Sequence, residues 1–229
     1  MFIGHYGPAV WDAHRTNGVR LWHGFLAVQA MDIVFCVLAI LGVEGGPLEG
    51  AHPLAFYIPY SHSLVGAIII AMAVSGFYRL IRPAAGAKAA LIMGLLAFSH
   101  WPLDLIVHRP DLPIMPGGDT LLGLGLWDLP WVAFGLEVLL LGGMIAWWLR
   151  VTSGPRWTAM AVWIMVALMS ALQFGSIAEP TLQVQAGTFD PNSVPDPVIF
   201  GISGLVFFLL VAGLVALIER KRQPKADRP

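Results

Sequence analysis

Six mainly apolar stretches dominate this 229-residue chain, at 21–43, 62–80, 88–108, 127–149, 157–177 and 198–218. Each is about as long as a helix needs to cross the hydrocarbon core of a bilayer, roughly 20 residues. Gly- and Pro-rich breaks separate them at 44–60, 82–87, 109–125, 150–156 and 179–197. In lipid, a span of this length satisfies its own backbone polar groups only as a helix. The expected fold is therefore all-α, a polytopic membrane bundle of about six transmembrane helices. Composition decides against a soluble alternative: 57% of residues are hydrophobic and 12% charged, against about 45–50% and 25% in soluble domains. A net charge of −1 gives nucleic acid no footing. The lone Cys36 excludes an internal disulfide framework and a cysteine-rich zinc module. The first 20 residues lack the basic leader and apolar core of a cleavable signal.

Basic residues set the expected orientation. Arg15 and Arg20 precede the first span, Arg79, Arg82 and Lys88 lie between the second and third, and Arg150 and Arg156 join the fourth and fifth. Arg220, Lys221, Arg222, Lys225 and Arg228 follow the sixth. The alternate loops carry Arg109 as their one basic residue, beside Glu44, Glu49, Asp111, Asp119, Glu179, Asp190 and Asp196. By the positive-inside rule both termini are expected in the cytoplasm, with three long loops outside a membrane of the bacterial inner type. Residues 1–218 read as one transmembrane domain and 219–229 as a basic cytoplasmic tail. That tail reads as a stop-transfer anchor, with anionic-lipid binding as the alternative.

Ionisable groups inside a span cost a few kcal/mol or more and face the bundle interior. Here they crowd the first half of the chain. Asp32 falls near the middle of the first span with Gln29 one turn earlier, and His62 opens the second within Pro-Tyr-Ser-His-Ser. Ser99, His100, Asp104, His108 and Arg109 cluster at the end of the third span, and Glu137 sits inside the fourth. The last two spans offer little beyond Gln173 and Ser203. His100 and Asp104 are four apart, share a helix face and can grip one ion. His108 lies eight residues beyond His100, about 12 Å along a straight helix, too far to share that ion easily. It is open to a second ion, to proton shuttling, or to substrate orientation beside Arg109. Pro102 removes a backbone donor and is expected to kink the helix there.

Each residue taken singly has a structural reading: a hydrogen-bonded core His, an interhelical Asp, or a cap at His62. Together, Asp32, His62, His100 and Asp104 are better explained by a divalent metal. Glu137 reads either as a partner to the ligands or as a lone protonated carboxyl. His14, His23 and His52 fall at interfaces or loops and are expected to be solvated. Trp127/Trp131 and Trp147/Trp148 read as aromatic belts at the ends of the fourth span.

The ordered set Gly-His5-Tyr, Gln-Ala-Met-Asp32, Tyr-Ser-His62-Ser and His100-x-x-x-Asp104 resembles the YdjM-type inner-membrane metal-dependent hydrolases, a family distantly similar to zinc-dependent phospholipase C. The resemblance covers about the first 110 residues. It implies His5, Asp32, His62, His100 and Asp104 as metal ligands. Two departures mark a divergent branch. Asp32 stands alone where the family carries a Pro-Asp-x-Asp type pair, and Pro59-Tyr60-Ser61 replaces the usual His-Arg before the family's Thr-His-Ser. With a cytoplasmic N-terminus, His5 reaches the other ligands only if residues 1–14 re-enter the bundle as a short helix, reversing around 15–18.

The resemblance and the residues together lead to a metal-assisted hydrolase acting on a lipid-like ester or phosphoester. Zn²⁺ is the first expectation, with Mn or Fe as alternatives. The implied roles are general base for a carboxylate such as Asp104, proton donor to the leaving group for His108, and phosphate holder for Arg109. Membrane lipids are the expected surroundings and partners, and no protein partner is read from the sequence. Two other classes use the same residues: a proton- or ion-translocating protein with an intramembrane relay, and a non-catalytic subunit of a larger complex. Intramembrane zinc proteases and di-iron desaturases lack their motifs here. Gly201-Ile-Ser203-Gly204 resembles the rhomboid serine motif, but no histidine follows His108.

Overall fold

Helices make up nearly all the regular structure of the computed structural model, which describes residues 1–12, 19–48 and 51–225. A 3-10 turn at Ile3–His5 leads into α1 (Tyr6–Asp12). Next come α2 (Leu21–Val28), α3 (Ala30–Ile40), α4 (Leu64–Ile81), α5 (Gly86–Phe98) and α6 (His100–Val107). The second half holds α7 (Pro130–Val151), α8 (Arg156–Gln173), α9 (Glu179–Ala186) and α10 (Pro197–Glu219). Two short antiparallel pairs complete the fold. β1 (Leu112–Pro113) joins β2 (Leu121–Leu122) with Leu112 opposite Leu122, and β3 (Thr152–Ser153) joins β4 (Gln223–Pro224) with Thr152 opposite Pro224.

Among the described residues, five helical stretches are long and apolar enough to cross a membrane: Leu64–Ile81, Pro83–Val107, Pro130–Val151, Arg156–Ala186 and Pro197–Glu219. The first expected span makes a sixth only if its two pieces count as one, since it is not one straight rod. Its two pieces, α2 and α3, are bent by 51° at Gln29. The third is also broken, at Ser99, for a reason visible in the sequence. Pro102 has no N–H to give the Phe98 carbonyl, and α5 ends at Phe98. The fifth runs past the expected limit at 177 to Ala186. Pro180 similarly leaves the Ser176 carbonyl without its helical donor, and the chain passes that point through a π turn, Phe174–Ala178, instead of stopping.

Packing relies on small residues where helices come close. A Cβ on Gly94 of α5 would sit 3.0 Å from the Ala71 carbonyl oxygen of α4, and one on Gly201 of α10 would meet the Cys36 carbonyl oxygen of α3 at 2.6 Å. The basic ends gather on one face of the bundle. Glu219 at the end of α10 accepts from the Leu21 amide at the start of α2 (3.0 Å). Arg222 donates to Thr152 and Thr158 Oγ1 at the α7–α8 turn (3.0 and 2.8 Å) and lies over the Trp148 ring. His23 Nδ1 meets Tyr78 Oη near the end of α4 at 3.2 Å. The acidic loops meet at the other end, where Asp111 accepts from the Phe56 amide and Asp128 from Arg109.

The N-terminal segment does insert into the bundle. Ile3, His5, Tyr6 and Val10 are buried against α2 and α7. Glu137 of α7 is the reason: Oε2 accepts from the amides of Phe2 (2.7 Å) and Gly4 (3.1 Å), while Oε1 accepts from Gln173 Nε2 (2.9 Å) and Trp127 Nε1 (3.3 Å). Of the two readings left open for Glu137, it is a partner to the site's scaffold. The reversal expected at 15–18, and His14, lie outside the described residues.

Candidate metal centre

Four imidazoles converge on two carboxylates where α3, α6, the inserted N-terminus and the segment before α4 meet. Asp104 Oδ1 lies 3.0 Å from His5 Nε2 and 3.6 Å from His108 Nε2. Its Oδ2 lies 3.0 Å from His100 Nε2 and 3.6 Å from His62 Nε2. Asp32 Oδ1 stands 3.3 Å from His62 Nε2 and 3.5 Å from His100 Nε2. The Met1 amino group also rests on Asp104 Oδ1. His5 and His100 stack face to face, with centroids 3.6 Å apart. All five ligands implied by the sequence resemblance are thus in one place. Ligand atoms of His5, His100 and Asp104, and of Asp32, His62 and His100, lie close enough for either group to hold a metal ion.

The opposite nitrogens of three rings explain why the Nε2 atoms point inward. His100 Nδ1 donates to the Val28 carbonyl at 2.7 Å, where the first span breaks. His108 Nδ1 donates to Asp111 Oδ1 at 2.9 Å. His62 Nδ1 donates to Ser61 Oγ at 2.7 Å, and that hydroxyl donates to Glu44 Oε2 at 2.5 Å. Glu44 is itself fixed by the amides of Tyr60 and Ser61. With Nδ1 protonated and bound, each Nε2 presents a lone pair. Such outer hydrogen bonds are how metal-binding histidines are held in tautomer and orientation.

That tautomer makes the interior of the cluster electrostatically incomplete. His100 Nε2 and Asp104 Oδ2, both fully buried, face each other at 3.0 Å without forming a hydrogen bond. An unsatisfied buried polar atom costs about 1–3 kcal/mol, and more when charged. A divalent cation between the two would answer both, and mixed imidazole and carboxylate donors suit zinc and its neighbours. The donor set fits a metal.

His108 comes closer to the cluster than a straight helix would carry it, within 3.6 Å of Asp104, though it belongs to neither group of atoms that could hold an ion. α6 ends at Val107 and His108 continues in extended conformation, with its ring folded back over the preceding turn. Side chains on a helix lean toward its N-terminus, so a residue four beyond Asp104 returns to it. Trp127 is not a belt residue either: it is buried, packs on the His108 ring at 4.3 Å and donates to Glu137. Trp148 is buried beneath Arg222, whereas Trp131 is exposed as expected. His23, expected to be solvated, is buried beside Trp22 and Tyr78. His52 is partly exposed in its loop; desolvation first, then the Arg109 charge, lowers its pKa from the ordinary imidazole value. Arg109 is buried and bound to Asp128 Oδ1 (2.8 Å) and Thr181 Oγ1 (3.0 Å), which ties the loop between α6 and α7 to α9 and engages these donors there.

Sequence reasoning passed over Glu44 and Asp111 as ordinary loop charges. Asp111 had a signal, its i+3 spacing from His108. Glu44 had none, since 17 residues separate it from Ser61.

A cavity of about 390 Å³ opens onto the cluster. Asp32, His62, Asp104 and His108 form its polar floor, and its walls are mainly aromatic and aliphatic, including Phe35, Phe200, Phe207 and Ile177. Set against known protein families, characterised proteins and solved structures, the chain matches none of them.

Proposed function

We propose that this protein is an integral membrane hydrolase that depends on a divalent metal, zinc first and manganese or iron next, and acts on a lipid-like ester or phosphoester. The observation that carries the reading is the buried pair of facing acceptors, His100 Nε2 and Asp104 Oδ2, inside a ring of imidazoles whose other nitrogens are already committed. His5, Asp32, His62, His100 and Asp104 would hold the ion. When bound, such an ion supplies Lewis acidity and makes a water a stronger acid. The protein's own groups supply the rest. Asp32, partly exposed to the cavity, accepts a proton from water as general base. His108, its Nδ1 held by Asp111, offers the Nε2 lone pair to take up a proton released by the water and pass it to the leaving group. The apolar walls exclude bulk water and receive the hydrophobic part of the substrate. The sequence-based orientation places the catalytic half of the molecule toward the outer leaflet of an inner membrane.

The test is elemental analysis of detergent-purified protein beside a His100→Ala/Asp104→Ala variant, followed by phospholipid hydrolysis assays on the metal-loaded form. About one or two equivalents of metal, absent from the variant, is the expected result. Wild-type protein that stays metal-free after metal is offered back would overturn the reading. It would favour the proton-relay class, which the Glu44–Ser61–His62–Asp32 chain would also serve.

A further inference from the structure

The cavity above the cluster is shut at its loop end and open at its side. Of the residues lining it, the exposed ones are Leu172, Ser176, Phe200 and Ser203. None is on a loop. Leu172 and Ser176 belong to the helical stretch Arg156–Ala186, and Phe200 and Ser203 to α10, both long and apolar enough to cross a membrane. The loop end is covered by the first outer loop, where Phe56 and Ile58 line the cavity. That loop is pinned by hydrogen bonds from Tyr57 to Gly46, from Phe56 to Asp111 and from Tyr60 to Glu44. The side opening lies where α10 turns its packing to α3 and α2 rather than to α8. On the α8 side the wall is the π turn, which brings Ser176 and Ile177 to the cavity.

We propose that the gap between the π turn and α10 is a portal through which one acyl chain of a membrane lipid enters, so that the substrate is drawn from the bilayer and not from water. This rests on the hydrolase reading for the chemistry, but the portal stands on geometry alone. An opening bounded only by exposed side chains of two membrane-crossing helices faces lipid tails, the one medium present at that depth. Behind it the walls include Phe35, Phe200, Phe207, Phe208 and Ile177, and the ionisable groups Asp32, His62, Asp104 and His108 line the same cavity. A chain entering there brings the ester region of its lipid to Asp32 and His108. The volume falls within the range of about 300–1,000 Å³ usual for ligand pockets, which suits one chain and the ester region better than a whole two-chain lipid. The second chain stays in the bilayer.

The experiment uses the full chain reconstituted in phosphatidylglycerol and phosphatidylethanolamine vesicles, doped with phosphatidylcholine carrying a diazirine midway along one acyl chain. After illumination, crosslinked peptides are mapped by mass spectrometry and bound metal is measured on the same sample. Crosslinks to cavity residues Phe207, Phe208 or Phe35 are expected. They should disappear in Ser176→Trp/Ser203→Trp, which plugs the portal at two exposed positions, and persist in Leu139→Trp on the exposed face of α7. They should also persist in His100→Ala, because the chain does not need the metal. Crosslinks found only on outward-facing residues, or surviving the plug, overturn the portal while leaving a metal-loaded site intact. Cavity crosslinks in a protein that holds no metal would keep the portal and remove the hydrolase.

Discussion

The inserted N-terminus and the α6 wall both bring histidines to Asp104, but they position them by different means. His62, His100 and His108 are each fixed through their own Nδ1, to a hydroxyl, a carbonyl and a carboxylate. His5 has no such anchor among the described residues: its Nδ1 is buried with no hydrogen-bond partner among them, and the ring is set by stacking on His100 and by the backbone bonds that Glu137 accepts nearby. Three of the histidines are therefore oriented ring by ring, and the fourth is delivered by a whole segment. A defect in one ring's partner should weaken the site gradually. A defect in the segment's anchor should remove a ligand at once.

The widest effect is expected at Asp104, which both regions share. Asp104→Ala should abolish metal binding outright, as judged by metal content after gel filtration, while the protein still inserts and purifies. Metal retained at the wild-type level would dissolve the comparison, because neither region would then be serving a common centre.

Glu137→Ala should come next. It strips acceptors from the Phe2 and Gly4 amides, Trp127 and Gln173, each a loss of about 1–3 kcal/mol if left unsatisfied. A markedly lower Tm, faster proteolysis near the N-terminus and weakened but surviving metal binding are expected. Glu137→Gln keeps one acceptor oxygen and should recover part of the Tm. An N-terminus as protected in the Ala variant as in wild type would show that the segment is held by packing instead.

Chelation should lower the Tm of wild-type protein, since an ion at a hundred times its Kd stabilises the folded state by about 2.7 kcal/mol. The Asp104→Ala variant should not respond. Equal shifts in the two proteins would mean that the chelator acts elsewhere.

Ser61→Ala tests single-ring anchoring of a ligand and should weaken metal binding by about 10–100-fold without loosening the N-terminus, whereas Asp111→Ala, behind His108, should lower hydrolysis and leave metal content near wild type. Competition with a metal indicator and limited proteolysis separate the two readouts. Arg109→Ala should do least to the metal, leaving affinity close to wild type and loosening only the contacts with Asp128 and Thr181.

Much of this was legible in one dimension. The spans follow from run length, and Asp32, His62, His100 and Asp104 stood out because lipid penalises ionisable groups. The N-terminal insertion followed once His5 was required beside them. What escaped depended on backbone behaviour at breaks. Periodicity takes a straight helix as its ruler, so it did not foresee His108 folding back to Asp104 or the Val28 carbonyl turned to His100 at a 51° bend. The break expected at 179–197 also begins later than read, because the helix carries on past Pro180 through a π turn. Glu44 was hidden because its partner is distant in sequence and its loop has no period to read.

Asp111 spans two regions that would otherwise be independent. One oxygen holds His108 and the other accepts from the Phe56 amide of the loop between α3 and α4, at 3.3 Å. The loop and the histidine cluster thus share a carboxylate, and loading an ion at the cluster is expected to be felt in the loop. A fluorophore placed at Tyr57, exposed on that loop, would act as a remote gauge of metal loading, readable in intact vesicles without touching the centre it reports on.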